Sequence, residues 1–190
     1  MPRKKPMDID VATVSGWVEV IVRDKRGRVK YKFGGPPKRV FPNGGLPIFK
    51  SLPAKEADFY WRKNVITDVG LACIIRLVFE GLAEDKFGYL AIGSGTTPEA
   101  VSDTALEAEI IRKLATITQT TTNISGDTAL LEATFSSADG LSGSMTISEA
   151  GVFNAPSGGD LLARKAFAGV PVSWDAGDTL TIRYYIQMTR

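Results

Sequence analysis

The chain has 190 residues, 44% of them hydrophobic, with 23 Lys+Arg against 21 Asp+Glu, a single cysteine and no histidine. That is enough apolar material for one packed domain and too much for a disordered chain. With no histidine, and with Cys73 alone, no disulfide closes within the chain, no Cys/His metal site forms from one protomer, and every Ser-His-Asp or Cys-His arrangement is excluded.

The commonest general base is therefore missing, although all-carboxylate, Ser-Lys and substrate-assisted chemistry stay open. The longest apolar run, Val69 to Phe79, is interrupted by Arg76 and is too short to span a bilayer, so no membrane partner is expected. Met1-Pro-Arg-Lys-Lys-Pro6 is basic, but Asp8 and Asp10 stand where a signal peptide needs an apolar run. The expected location is a cytoplasm, or a particle assembled there. Charge is uneven. Residues 1–63 carry 15 Lys+Arg against 6 Asp+Glu, a net of +9, and residues 64–190 carry 8 against 15, a net of −7. A basic arm on an acidic body fits one subunit's arm lying on its neighbour. A solvated hairpin without a partner fits equally well. Nucleic acid ranks below both, because no binding motif accompanies the basic residues.

In chain order, residues 1–16 lack a period and read as an arm. Trp17-Val-Glu-Val-Ile-Val22 and Arg28-Val-Lys-Tyr-Lys-Phe33 form a hairpin about Arg23–Gly27, the second strand alternating Val29, Tyr31 and Phe33 with Arg28, Lys30 and Lys32. Residues 34–63 mix Pro36, Pro37, Pro42, Pro47 and Pro53 with Phe41, Ile48, Phe49, Phe59 and Trp61. Proline removes ladder donors, so this segment is expected to be extended and to lie against its own body or a neighbour. Residues 1–63 are thus read as one unit and 64–190 as the body.

The body opens on one long helix, capped by Asn64 or Thr67, with Ile66, Val69, Cys73, Ile74, Leu77 and Val78 as its buried stripe and Gly81 as its stop. Cys73 on that stripe reads as core. Phe87–Ile92 is a strand. Ser102 or Asp103 starts a short helix through Lys113. Leu114–Ile124 and Thr128–Phe135 form a hairpin about Ser125-Gly126-Asp127. Gly143–Ile147, Ala150–Phe153 and Leu161–Phe167 are short strands, and in the last strand Leu180, Ile182, Tyr184, Ile186 and Met188 alternate with polar residues. The whole reads as mainly β: an antiparallel, jelly-roll-like β-sandwich with one long helix and an N-terminal arm and hairpin.

Motifs with chemical potential are few. Gly93-Ser-Gly95-Thr-Thr-Pro98 follows a strand as a phosphate loop would. It lacks the Gly-Lys-Ser/Thr ending, and Pro98 stands in place of a third glycine, so a structural turn is expected. Glu107 and Glu109 fall on different sides of the expected helix. Asp103, Glu107, Glu149, Asp175 and Asp178 have no paired-carboxylate spacing. Ser148-Glu149 reads as a turn in which Glu149 accepts backbone N–H groups or pairs with Arg112 or Arg164. Asp175-Ala-Gly-Asp178 lacks the EF-hand pattern for calcium.

An ordered series of segments carries a resemblance: Asn64-Val-Ile-Thr-Asp-Val-Gly70, Tyr89-Leu-Ala-Ile-Gly-Ser-Gly-Thr-Thr-Pro98, Ser102-Asp-Thr-Ala-Leu106 with Glu109-Ile-Ile-Arg112, Ile147-Ser-Glu-Ala-Gly-Val-Phe153, and Leu161-Leu-Ala-Arg164. In their order and spacing, over about two-thirds of the chain, they resemble small structural proteins of tailed-phage virions. The resemblance implies a virion component with no catalytic residue and no cofactor. It leaves tail, baseplate, fibre attachment and capsid surface open. The expected partners are further copies of the chain, as a trimer or ring, and other virion proteins. Arg23, Arg26, Arg28, Lys30, Lys32, Phe41, Ile48, Phe49, Phe59 and Trp61 are the candidate interface. Two other classes stand beside it. One is a carbohydrate-binding adhesion module using Trp17, Trp61 and Trp174 as stacking faces. The other is a carboxylate hydrolase.

Overall fold

The computed structural model describes residues 13–34, 64–80, 85–122 and 124–189. They form two antiparallel sheets of five strands each. In chain order the strands are β1 (Thr13–Arg23), β2 (Val29–Gly34), β3 (Val65–Ile66), β4 (Tyr89–Gly93), β5 (Glu109–Leu114), β6 (Thr116–Thr120), β7 (Thr128–Phe135), β8 (Ser144–Phe153), β9 (Leu161–Ser173) and β10 (Thr179–Thr189). The first sheet runs β2-β1-β10-β7-β6 and the second β3-β9-β8-β4-β5. Helix α1 (Asp68–Ile75) continues as a π-helical turn, Arg76–Glu80. No helix among the described residues is long and apolar enough to cross a membrane.

Period-2 alternation explains where the core sits. Val18, Val20 and Val22 of β1, Leu131 and Phe135 of β7, and Leu180, Ile182 and Tyr184 of β10 join Leu90 and Ile92 of β4, Ile147 and Val152 of β8, and Val170 and Val172 of β9 in one buried cluster. Each large side chain so buried contributes roughly 1.5–3 kcal/mol before chain entropy is counted. Tyr184 fits because its hydroxyl donates to the Ala150 carbonyl at 2.6 Å, which joins the sheets by a polar contact as well.

The hairpin expected ahead of the body is built into it. β1 pairs with β10 residue for residue, from Thr13 opposite Thr189 to Arg23 opposite Thr179. Strand β1 therefore begins at Thr13, inside the stretch assigned to the arm. Residues 144–153, expected as two strands about a turn at Ser148-Glu149, are one strand with a register shift between Ile147 and Glu149.

The helix expected from Ser102 to Lys113 is absent. Residues 103–108 are irregular and Glu109–Leu114 is strand β5 on β4. The β-branched pair Ile110-Ile111 suits a ladder. Asp103 and Glu107, which resemble helix-start residues, instead accept the loop N–H groups of Ala100, Thr96 and Thr97.

Thr67, not Asn64, caps α1. Its Oγ1 accepts the Gly70 N–H at 3.1 Å and donates to the Leu161 carbonyl. The expected stripe is only partly buried. Cys73 is fully buried, Val69, Ile74 and Leu77 are intermediate, Ile66 belongs to β3, and Val78 is exposed. The expected stop at Gly81 lies outside the described residues.

The helix reaches β9 through Gly70, where a Cβ would stand 2.6 Å from the Leu162 Cα. A backbone atom cannot rotate away from such a contact. Alanine would improve helix propensity by about 1 kcal/mol, while overpacking costs roughly 1–3 kcal/mol or more. Gly70→Ala is therefore expected to lower the midpoint of thermal unfolding followed by circular dichroism. A raised midpoint would mean that the helix shifts freely on β9.

Candidate functional site

The densest polar constellation lies where β4 ends and β8 changes register. Gly93, the last residue of β4, pairs across to Glu149 inside β8. Both ladders that meet there are irregular, β4–β5 between Ile92 and Gly93 and β8–β9 between Ile147 and Glu149. The irregularities leave N–H groups of the 94–108 loop without ladder partners, and Glu149 collects them. Its Oε1 accepts from Gly95 at 3.0 Å and Ala108 at 2.7 Å, and its Oε2 accepts from Glu107 at 3.0 Å.

Arg164 of β9 completes the set. Its Nε donates to Glu149 Oε2 at 3.0 Å, with a second contact at 2.9 Å. The same guanidinium reaches Asp103 at 2.9 Å and the Thr97 carbonyl at 3.1 Å. Glu107 accepts from the N–H groups of Thr96 and Thr97, both at 2.7 Å. The Thr97 and Thr96 N–H groups, helped by Arg164, hold the Glu107 carboxyl below its ordinary range. Burial works against the charge on Arg164, but Asp103 and Glu149 outweigh it and raise its affinity for the proton.

The two glycines have a steric reason. A Cβ on Gly95 would lie 2.5 Å from Glu149 Oε1 and from Glu107 Cβ, and one on Gly93 would meet Glu149 Oε1 at 2.5 Å. The glycine-rich loop does cradle an anion, as its spacing hints, but the anion is the chain's own carboxylate. The N–H groups of Gly95, Thr96 and Thr97 are engaged by Glu149 and Glu107, so they are not offered to a phosphate. Chemically the site is a clasp. Glu149 has no exposed surface and five donor contacts, and an acid or base needs an open lone pair facing substrate.

Around this clasp the resemblance segments close up. Thr67 N–H bonds Leu162 at 3.0 Å and Asp68 N–H bonds Val101 at 2.9 Å. Leu106 packs with Ala91, Phe153 and Leu161. Arg112 pairs with Glu109 at 2.8 Å and stacks over Phe153 with its guanidinium carbon 3.5 Å from the ring centre. Arg164, not Arg112, is thus the partner of Glu149.

The other sequence-selected residues lie elsewhere. Arg23 donates to the Gly27 carbonyl at 2.9 Å, Arg28 pairs with Asp24 at 2.8 Å, Lys32 with Glu19 at 2.9 Å, and Lys30 with buried Asp178. Arg26 sits in the turn, its N–H on Asp24 at 2.9 Å. Phe41, Ile48, Phe49, Phe59 and Trp61 lie outside the described residues. Trp17 and Trp174 are buried, so neither presents a stacking face to a sugar. Asp175 accepts the Gly143 N–H and Asp178 the Ser173 N–H, which makes their loop a structural turn. Among the described residues no group of three or more His, Cys, Asp or Glu could hold a metal ion. Cys73 is buried, as expected, beside the Asn154 amide at 3.6 Å.

Glu107 as a loop clamp was missed in the sequence. Its one signal was two successive threonine amides following Gly95, visible only once the helix reading is dropped. No protein-family model matches the chain, and neither a curated protein nor a solved structure matches it.

Glutamine at 149 would turn an NH₂ group toward donors only and strip Arg164 of its main counter-charge. Breaking a buried pair in this way costs about 3–5 kcal/mol, on the order of 10 °C in a domain of this size. Glu149→Gln is expected to lower the unfolding midpoint by that much, and an unchanged midpoint would remove Glu149 from this role.

Acid should act in the same direction. Asp178 is held below the ordinary aspartate range because burial, which raises it, is outweighed by Lys30 and the Ser173 N–H; Asp139, Glu99 and Glu107 are lowered too. A carboxylate with a depressed folded value binds protons more readily unfolded. Its contribution is complete above the unfolded value and fades as pH falls through the folded one. Stability is expected to hold through mild acid and to drop below about pH 4, with a shallower drop in Asp178→Asn. Melting curves across that range check the sign.

Proposed function

We propose that this chain is a non-enzymatic structural subunit of a tailed-phage virion, its two sheets stacked as a jelly-roll-like sandwich. It would assemble with copies of itself and other virion proteins at the tail, baseplate or fibre-attachment site. The observation that carries this reading is the convergence on Glu149 and Arg164. The segments that resemble virion proteins along the sequence pack against one another there, and their charged groups are spent on holding backbone. Such a pattern builds a scaffold, and a scaffold is what an assembly subunit supplies.

Contacts through residues 1–63 belong to the same proposal. Arg28, Lys30 and Lys32 are matched by acidic groups of the chain, so the share of positive charge left for a neighbour rests more on Arg23, Arg26 and the residues beyond the hairpin. A capsid decoration protein remains the closest alternative, since it asks the same of the fold and differs in place. The adhesion-module reading is weakened by the burial of Trp17 and Trp174.

Immunogold labelling of intact particles from a phage encoding this chain, with mass spectrometry of the purified virions, tests the proposal. The expected outcome is a fixed copy number with label at the tail. Label spread over the head would favour decoration. Absence of the chain from purified particles would overturn both.

A further inference from the structure

The four outer strands of the two sheets are not alike. β2 carries Lys30 and Lys32, β3 is two residues long, and β5 carries Glu109, Arg112 and Lys113. Lysines, shortness and charge are the usual means of stopping a sheet edge from pairing with another chain. The fourth edge, β6, has none of them. From Leu114 to Gly126 the chain contains no charged residue, and Thr116–Gln119 is exposed. Among the described residues β7 is the only strand that pairs with β6.

We propose that β6 is a pairing edge for a second copy of this chain, the two β6 strands running antiparallel about a twofold axis at Thr118. The sequence Thr116-Ile-Thr-Gln-Thr120 is nearly its own reverse. Centred on Thr118, the pairing sets Thr118 opposite Thr118 of the other copy, Thr116 opposite Thr120, and Ile117 opposite Gln119. Threonine pairs across strands are favourable, and no like charges meet. Self-pairing of β2 by the same operation would bring lysines together. An isologous contact of this kind closes after two copies and joins the two first sheets into one.

The inner face of the edge adds a second reason. Ile117 and Gln119 stand opposite Leu131 and Ala129, on the core side of β7. Next to them a cleft of about 300 Å³ is lined by Ala129, Ile186 and Met188, with Ile117 and Met188 41% and 54% exposed. A strand added at β6 sets alternate side chains over this cleft, where backbone bonds give affinity and the apolar hollow gives fit. The inference stands apart from the virion reading and from the role of residues 1–63.

Sedimentation of the purified full-length chain at tens of micromolar reads it directly. A mass of two copies is expected for the native chain. Thr118→Lys, on an exposed position, should yield single copies with an unchanged circular dichroism spectrum and a cooperative melting curve whose midpoint falls only by the stabilisation that association had added. Thr118→Glu should do the same, and mixing the two variants should restore the paired species through opposite charges. A native chain that stays single at this concentration would overturn the proposal. So would an assembly whose mass Thr118→Lys and Thr118→Glu leave unchanged, which would place the contact on another surface.

Discussion

A carboxylate can be carried fully into a protein interior only if its lone pairs are taken by donors and its charge is answered. Leaving it unmatched costs several kcal/mol. Glu149 imposes that condition on four pieces of chain at once: the turn after β4, the 106–108 stretch, β8 itself and β9. Each supplies something the others cannot. Gly93 and Gly95 supply room, the loop amides supply donors, and Arg164 supplies the opposite charge while also fixing Asp103. The break in the β4–β5 ladder between Ile92 and Gly93, which in an ordinary ladder would be a defect, leaves the amides of Gly95, Glu107 and Ala108 to the carboxylate.

The same arrangement decides how the loop should be read. Backbone N–H groups clustered after a glycine-rich turn form an anion cradle whatever the anion is. Here the cradle is filled from within by Glu149 and Glu107. The likeness to a phosphate loop is therefore physically real and functionally misleading.

Much of this was open to a reading of the residues. The last strand alternates through Leu180, Ile182, Tyr184 and Ile186 with so little interruption that its period survives any context, and the structure keeps it. Glu149 was expected to accept backbone N–H groups of a turn at its own position; it does accept backbone N–H groups, but from the 95–108 loop while lying inside β8. What stayed hidden depends on distant partners. Residues 102–113 have helical spacing, yet Ile110 and Ile111 find a ladder on β4, and Asp103 and Glu107 find loop amides. Local preference of a few tenths of a kcal/mol per residue yields to such tertiary bonding. The apolar stripe of α1 was seen, but its extent was overestimated, because its length says nothing of how much surface the sheet can cover. The partner choice of Glu149 between Arg112 and Arg164 could not be made either, since neither is its neighbour in sequence and only strand order, with β9 beside β8 and β5 two strands away, decides between them.

The position of β10 carries a consequence for how the molecule is made. It lies between β1 and β7, so the first sheet consists of two hairpins, β1–β2 and β6–β7, and among the described residues β10 is the strand that joins them. During synthesis β1 leaves the ribosome early and must keep an unfilled flank while the entire second sheet is produced. Pairing across so long a separation is slow to form and exposes open strand edges meanwhile. A chain lacking everything from Thr179 onward would hold two separate hairpins in place of the first sheet, although every strand of the second precedes that point. Addition of β10 is thus the step that closes the first sheet, and it can come only after both hairpins and all five strands of the second sheet have been made.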